Sequence, residues 1–182
     1  QVLGELRSRL GPVLAVQAAE AMLAPERIDR LVAPFLGGDD PVFGFLSGLS
    51  LPQFFDPRKL WELRARVGSI SGGLVLVVGC GARLVAEGEL LVYADLARWE
   101  AQNRFRRHET SNLGVENRSL PPGLQYKRAF FVDWRVADRW KRPLIRQWDF
   151  VLDTNHPRAP KLAEGEAVRR GLAAAVRRPF RV

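Results

Sequence analysis

Three aspartates, Asp95, Asp133 and Asp153, each close a short apolar run of strand character, and arginines gather after the first two of them. Arg98, Arg104, Arg106 and Arg107 follow Asp95, while Arg135, Arg139 and Arg142 follow Asp133. Carboxylates at strand ends can hold a metal or take up a proton, and strand ends are where α/β folds place their ligands. Guanidinium groups present forked donors that match phosphate oxygens two at a time. Each group also has a plainer reading. Asp95 and Asp133 would serve as helix N-caps, Asp153 as an Asx turn ahead of Asn155 and Pro157, and the arginines as solvated helix faces.

Gly79-Cys80-Gly81 comes directly after an apolar run, as phosphate-cradling turns do. A dinucleotide fingerprint would place glycine where Leu84 stands, and a phosphate loop would need Lys-Ser or Lys-Thr after its second glycine. A tight strand-exit turn accounts for the same residues. Cys80 is the lone cysteine and has no histidine in a readable partnership, so it reads as a small buried residue rather than a nucleophile. With only His108 and His156 besides, no internal disulfide and no His- or Cys-based metal centre is encoded.

The elements that must position these residues follow from periodicity and punctuation. Leu3, Leu6 and Leu10 share a helical face that Gly11-Pro12 ends, and a chain that opens inside such a helix without methionine reads as a segment of a longer protein. Val13–Val16 fits a short strand, with Gln17–Met22 open to a helical reading. Pro25 begins a helix with Ile28, Leu31, Val32 and Phe35 on its buried stripe and Gly37-Gly38 as its stop. Residues 37–55 form an ordered loop packed through Phe43, Phe45, Phe54 and Phe55. Asp56-Pro57 caps a helix that buries Leu60, Leu63 and Val67.

Leu74–Val78 and Leu90–Tyr93 are expected to be neighbouring central strands, because both are apolar without interruption. Asp95 would cap a helix from Leu96 to about Arg107, with Glu100 and Arg104 paired across one turn. Residues 109–125 read as loop, Ala129–Val132 as a third strand, and Asp133 as the cap of a helix buried through Val136, Trp140 and Leu144. Asp149–Leu152 reads as a fourth strand, and a last helix over about 164–176 uses Val168, Leu172 and Val176. Strands alternating with helices predict one layered α/β domain, with a mostly parallel sheet and helices on both faces.

The composition fits that plan: 182 residues, of which 47% are apolar, supply a core for one domain. No run approaches the roughly 18–20 apolar residues that cross a bilayer, and no secretory signal layout opens the chain, so a cytoplasmic protein without membrane partners is expected. The net charge of +8 comes from arginine, since only Lys59, Lys127, Lys141 and Lys161 are lysines. Arginine-rich, lysine-poor usage follows from GC-rich coding sequence or from selection by anionic ligands. Nucleic acid is a weaker candidate. Trp134, Trp140 and Trp148 interleave with Arg135, Arg139, Arg142 and Arg146, yet the helical spacing of Val136 and Trp140 buries at least one ring.

Several runs carry a family resemblance: Ala33-Pro34-Phe35-Leu36-Gly37-Gly38-Asp39-Asp40-Pro41-Val42-Phe43-Gly44, Val92–Glu100, Asn112-Leu113-Gly114, Lys127–Arg139 and Leu152-Asp153-Thr154-Asn155. Over most of residues 30–182 the chain resembles the N-terminal region of long bacterial class I mannose-6-phosphate isomerases. The resemblance implies a nucleoside-kinase-like α/β domain with a zinc-dependent cupin isomerase domain covalently following it, Arg178-Pro179-Phe180-Arg181-Val182 being the junction. Neither the phosphate loop of a kinase nor the Gln, His, Glu, His zinc set of a cupin isomerase falls in these residues. The implied role is an accessory or regulatory domain without a cofactor of its own. A sugar phosphate or nucleotide would be its ligand, and Asp95, Arg98, Asp133, Arg135, Asp138 and Arg139 its candidate phosphate-binding residues; no catalytic residue is implied.

Overall fold

Helix punctuation acts where it stands in the sequence. In the computed structural model, which describes residues 2–178, α1 (Val2–Leu10) stops at Gly11, whose φ of +54° suits glycine. Of the proposed junction, residues 179–182 lie outside the described residues, as does the side chain of Leu3. β1 (Leu14–Gln17) runs into a 3-10 turn, Ala18–Ala21. α2 (Pro25–Val32) opens on its proline, buries Ile28 and Val32, and decays through a 3-10 turn over Ala33–Phe35. α3 (Pro57–Gly68) is capped by Asp56, whose carboxylate accepts the N–H groups of Arg58 at 3.0 Å and Lys59 at 3.3 Å.

Next come β2 (Val75–Val78), the short α4 (Ala82–Val85), β3 (Val92–Asp95) and α5 (Arg98–Arg106). Helix resumes at Pro122 and runs on to Gln147. It comprises α6 (Pro122–Arg128), a π turn over Ala129–Asp133, α7 (Trp134–Leu144) and a closing 3-10 turn over Ile145–Gln147. Pro143 lies in the last turn of α7, where its missing N–H hastens the end. β4 (Phe150–Asp153), β5 (Lys161–Glu164) and α8 (Gly165–Ala175) complete the order.

Two expectations are corrected. Ala129–Val132 is not a strand but the widened middle of a helix, and Asp133 is therefore no cap. A four-residue apolar run cannot distinguish strand from buried helix. The longer pattern decides it, since Gln125, Ala129, Val132, Val136 and Leu144 are buried at helical spacings. Nor are residues 74–78 and 90–94 neighbours in one sheet. β2 pairs in parallel with β1, Leu14 facing Val75, while β3 pairs in parallel with β4, Val92 facing Phe150, and β5 adds to β4 antiparallel. The architecture is mixed α/β, with a small parallel sheet and a small mixed one.

Two apolar clusters hold the layers together. The larger gathers Val16, Ile28, Val32, Leu51, Phe54, Val132 and Val136 between β1, α2, α3 and the long helix. The smaller joins Leu144, Trp148 and Val151, with Val168 of α8 against it. Trp140 packs on both. α7 and α8 therefore lie against the same side of the β3–β4–β5 sheet. The opposite face carries Val92, Ala94, Phe150, Leu152 and Leu162 in register. Val92 stays 46% and Leu162 60% exposed, too much for a covered core face.

Candidate functional site

The long helix positions most of the candidate residues, and the π turn decides what they meet. At that turn the carbonyl of Phe131 accepts the N–H of Ser47 at 2.8 Å. The Nζ of Lys127 donates to the carbonyl of Asp40, and Arg139 donates to the carbonyls of Ser47 and, at 2.9 Å, Leu49. The long loop after α2 is thus fastened to the helix at four carbonyl or amide groups.

Asp133 faces the other way, into a buried polar cluster. Its Oδ2 accepts from Asn112 Nδ2 at 2.6 Å and from the N–H of Leu113 at 3.3 Å. Asn112 also donates to the carbonyl of Gln125, and Asn117 donates to Asn112 Oδ1. Arg128, buried one turn earlier, donates to Asp29 Oδ1 at 2.8 Å and to the carbonyl of Leu113 at 3.0 Å, and its Nε stands 3.7 Å from Asp133 Oδ1. Burial raises the Asp133 carboxyl above its ordinary range, against the opposing pull of Arg128 and Asn112. Gly114 allows the loop to settle there: its φ is +74°, and a Cβ would lie 2.4 Å from Ile28 Cδ1.

Of the remaining candidates, Arg98 and Asp138 pair with each other and Asp95 pairs with a lysine of α7. Asp95 ends β3 and takes the ammonium of Lys141 at 2.6 Å; the ammonium also lies 5.1 Å from the ring centre of Tyr93. It does not cap α5. The N-cap is Ala97, with no side-chain cap bond; its own N–H goes to Asn155 Oδ1 at 2.9 Å, and Asn155 is set by the Asx turn at Asp153. Arg98 forms an ion pair with Asp138 and lies 5.4 Å over Trp134. The expected Glu100–Arg104 pair forms at 3.1 Å, and Arg107 joins it. Of the three candidate arginines, only Arg135 meets no carboxylate or carbonyl among the described residues. It is half-buried, its Nε is enclosed without an acceptor, and its guanidinium lies 5.6 Å over Phe130.

The six residues are therefore strung along the long helix, the end of β3 and the start of α5 rather than converging on one point. Sequence reasoning missed Lys141, Arg128 and the asparagine–glutamine cluster. Lys141 lies 46 residues from its carboxylate, a separation no local pattern spans. The Gly79-Cys80-Gly81 turn has an internal explanation. Gly79 and Gly81 adopt φ of +104° and +88°, and a Cβ on Gly81 would stand 2.4 Å from the ring of Phe55. The N–H groups of Ala82 and Leu84 bond back to Gly79 and Gly81. Cys80 is solvent-exposed, not the buried residue expected, while crowding round its sulfur, with the charge of Asp133 behind it, pushes the thiol up to about 11. It is protonated at neutral pH.

The three tryptophans offer no exposed stacking row. Trp148 is buried, Trp140 packs in both clusters, and Trp134 is half-covered with Arg98 stacked on it. Clefts lie away from the paired residues, one of about 410 Å³ between α5 and α6 lined by Gln102, Phe105, Arg106 and Tyr126. Among the described residues no group of three or more His, Cys, Asp or Glu could hold a metal ion, and no helix is long and apolar enough to cross a membrane.

These observations define a mixed α/β domain whose long helix is tied to its neighbours by ion pairs and by bonds to loop carbonyls. The chain belongs to the family described as "Domain of unknown function (DUF8485)", which matches residues 1–177. No curated protein and no solved structure matches it.

Proposed function

We propose that the chain is an accessory or regulatory domain of a class I mannose-6-phosphate isomerase-like protein, kinase-like in layering and joined covalently to a zinc-bearing cupin isomerase domain in the cytoplasm. The observation that carries this reading is the bare side of the β3–β4–β5 sheet. Val92, Ala94 and Leu162 leave an exposed apolar strip there that a following domain would cover.

In this reading the ion pairs along the long helix hold the domain's shape and do no chemistry. Assayed with mannose 6-phosphate, with and without zinc, or with ATP as phosphoryl donor, the 182-residue protein is expected to give no turnover above a no-protein control. Turnover that Asp95→Asn or Asp133→Asn abolishes would overturn the assignment. The alternative, a nucleotide- or sugar-phosphate-binding domain of phosphotransferase type, draws on one observation, the half-buried Arg135 side chain, which meets no carboxylate or carbonyl among the described residues.

A further inference from the structure

We propose that the cleft between α5 and α6 binds a mononucleotide, its flat base against Tyr126 and its phosphate on Arg106. The inference goes beyond the domain assignment and stands whether or not an isomerase domain follows. The cleft has a volume of about 410 Å³, room for one small ligand, and it is reachable, since Arg106 and Tyr126 are both exposed. Its lining is mostly apolar, with Phe105 from α5 and Pro122, Gly123 and Tyr126 from α6. A Cβ on Gly123 would meet nothing within 4 Å, so the space beside that residue is open. Gln102 and Arg106 supply an amide and a positive charge, and no carboxylate joins them in the lining among the described residues.

Such a lining suits a flat ring with an anion attached. Tyr126 is held stacked on Phe130 at 6.1 Å and edge-on to Trp134 at 5.4 Å, and it stays 39% exposed, so its ring offers a base a fixed plane. The Gln102 amide both donates and accepts, as the edge of a heterocyclic base does. Arg106 lies one helical turn further on, which separates the two Cβ atoms by about 5–6 Å, a gap that one pentose bridges between base and phosphate. The neighbouring arginines are occupied: Arg98 meets Asp138, Arg104 meets Glu100, and Arg107 meets Glu100 and Glu109. Arg106 donates through Nη1 to the neutral side chain of Asn103 at 3.0 Å, which leaves an edge of its guanidinium to fork onto two phosphate oxygens. With no carboxylate in the cleft an entering phosphate meets no like charge, and the chain's +8 favours its approach.

The test is calorimetric titration of adenosine 5′-monophosphate, adenosine and a single-stranded oligonucleotide into the protein and its Arg106→Gln, Tyr126→Ala and Arg58→Gln variants, at low and at about 0.3 M salt. The expected result is saturable one-to-one binding of the monophosphate that persists at the higher salt. Arg106→Gln should weaken it at least about tenfold while leaving the weaker binding of adenosine unchanged. Tyr126→Ala should weaken monophosphate and adenosine alike, by about fivefold or more. Arg58, an 87% exposed side chain on α3, is the control for general basicity, and its variant should bind as the parent does. Arg106 is exposed, so its variant keeps the test decisive even if Tyr126→Ala lowers stability. The absence of saturable monophosphate binding, or equal affinity in Arg106→Gln, would overturn the proposal. So would an equal loss in Arg58→Gln, which is the diffuse attraction of a basic chain, or tighter binding of the oligonucleotide than of the monophosphate, which would make the surface a nucleic-acid groove.

Discussion

Arg128→Met should lower the unfolding free energy at pH 7 by about 3–5 kcal/mol, the usual effect of leaving a buried charge without its partner. Arg128 is buried, and the substitution deprives Asp133 of its cation, Asp29 of its ion pair and the Leu113 carbonyl of its donor. For a chain of this length the corresponding fall in Tm is about 6–20 °C. The pH dependence identifies the cause. Burial already raises the Asp133 carboxyl, so the folded protein holds that proton more tightly than the unfolded chain does. Such a group stabilises the fold below its ordinary value, near 3.8, and loses that contribution as pH rises through the higher folded value. Without Arg128 the folded value rises further. The gap between variant and parent should therefore widen from acid towards neutral pH in urea unfolding, and a gap independent of pH would mean that lost packing, not the uncompensated carboxylate, is responsible.

Phe54→Ala should cost a similar amount, about 3–5 kcal/mol, by emptying a ring-sized space at the centre of the larger cluster. Phe54 is 0% exposed, and its carbonyl receives the N–H of Leu23, so the ring also fixes where the chain after β1 meets the turn before α3. Phe43→Ala provides the control. Phe43 is 72% and Phe45 66% exposed, on the outward side of the same loop, and surface changes of this kind stay within about 0.5 kcal/mol. Urea midpoints of the two variants should differ widely. Similar midpoints would mean that the loop's aromatic rings share one environment.

That contrast shows what the sequence makes legible. Four phenylalanines in a loop rich in Gly, Ser and Pro announce an ordered loop, but not which rings turn inward, because the loop's course depends on carbonyls fastened by Lys127 and Arg139 from 87 and 90 residues away. Caps and stops are readable since cause and effect lie within a turn: Asp56-Pro57 opens α3 and Gly37-Gly38 closes the second helix region. The strands at 75–78, 92–95 and 150–153 are readable from apolar run length, whereas their partners are not. Pairing β2 with β1 and β3 with β4 involves contacts across about 60 residues, which local pattern does not encode.

The candidate site divides along the same line. Arg135 could be named from the sequence, but that it alone among the three candidate arginines meets no carboxylate or carbonyl depends on where Asp138 and the Ser47–Leu49 carbonyls fall. The reading of Asp133 as a helix cap failed for a different reason. Ala129-Phe130-Phe131-Val132 looks like a strand over four residues and like a helix over sixteen, and the longer window carries the correct signal in Ala129, Val132, Val136 and Trp140. The π turn that brings Asp133 inward to Asn112 has no sequence signature of its own.

The claim that this chain is the accessory domain of an isomerase is tested most directly by expressing it together with whatever its reading frame encodes after Val182, and measuring the isomerisation of mannose 6-phosphate beside the 182-residue protein. The account predicts zinc-dependent turnover in the longer protein and none in the shorter one. Turnover by the 182 residues alone, or none in the longer protein supplied with zinc, would contradict it.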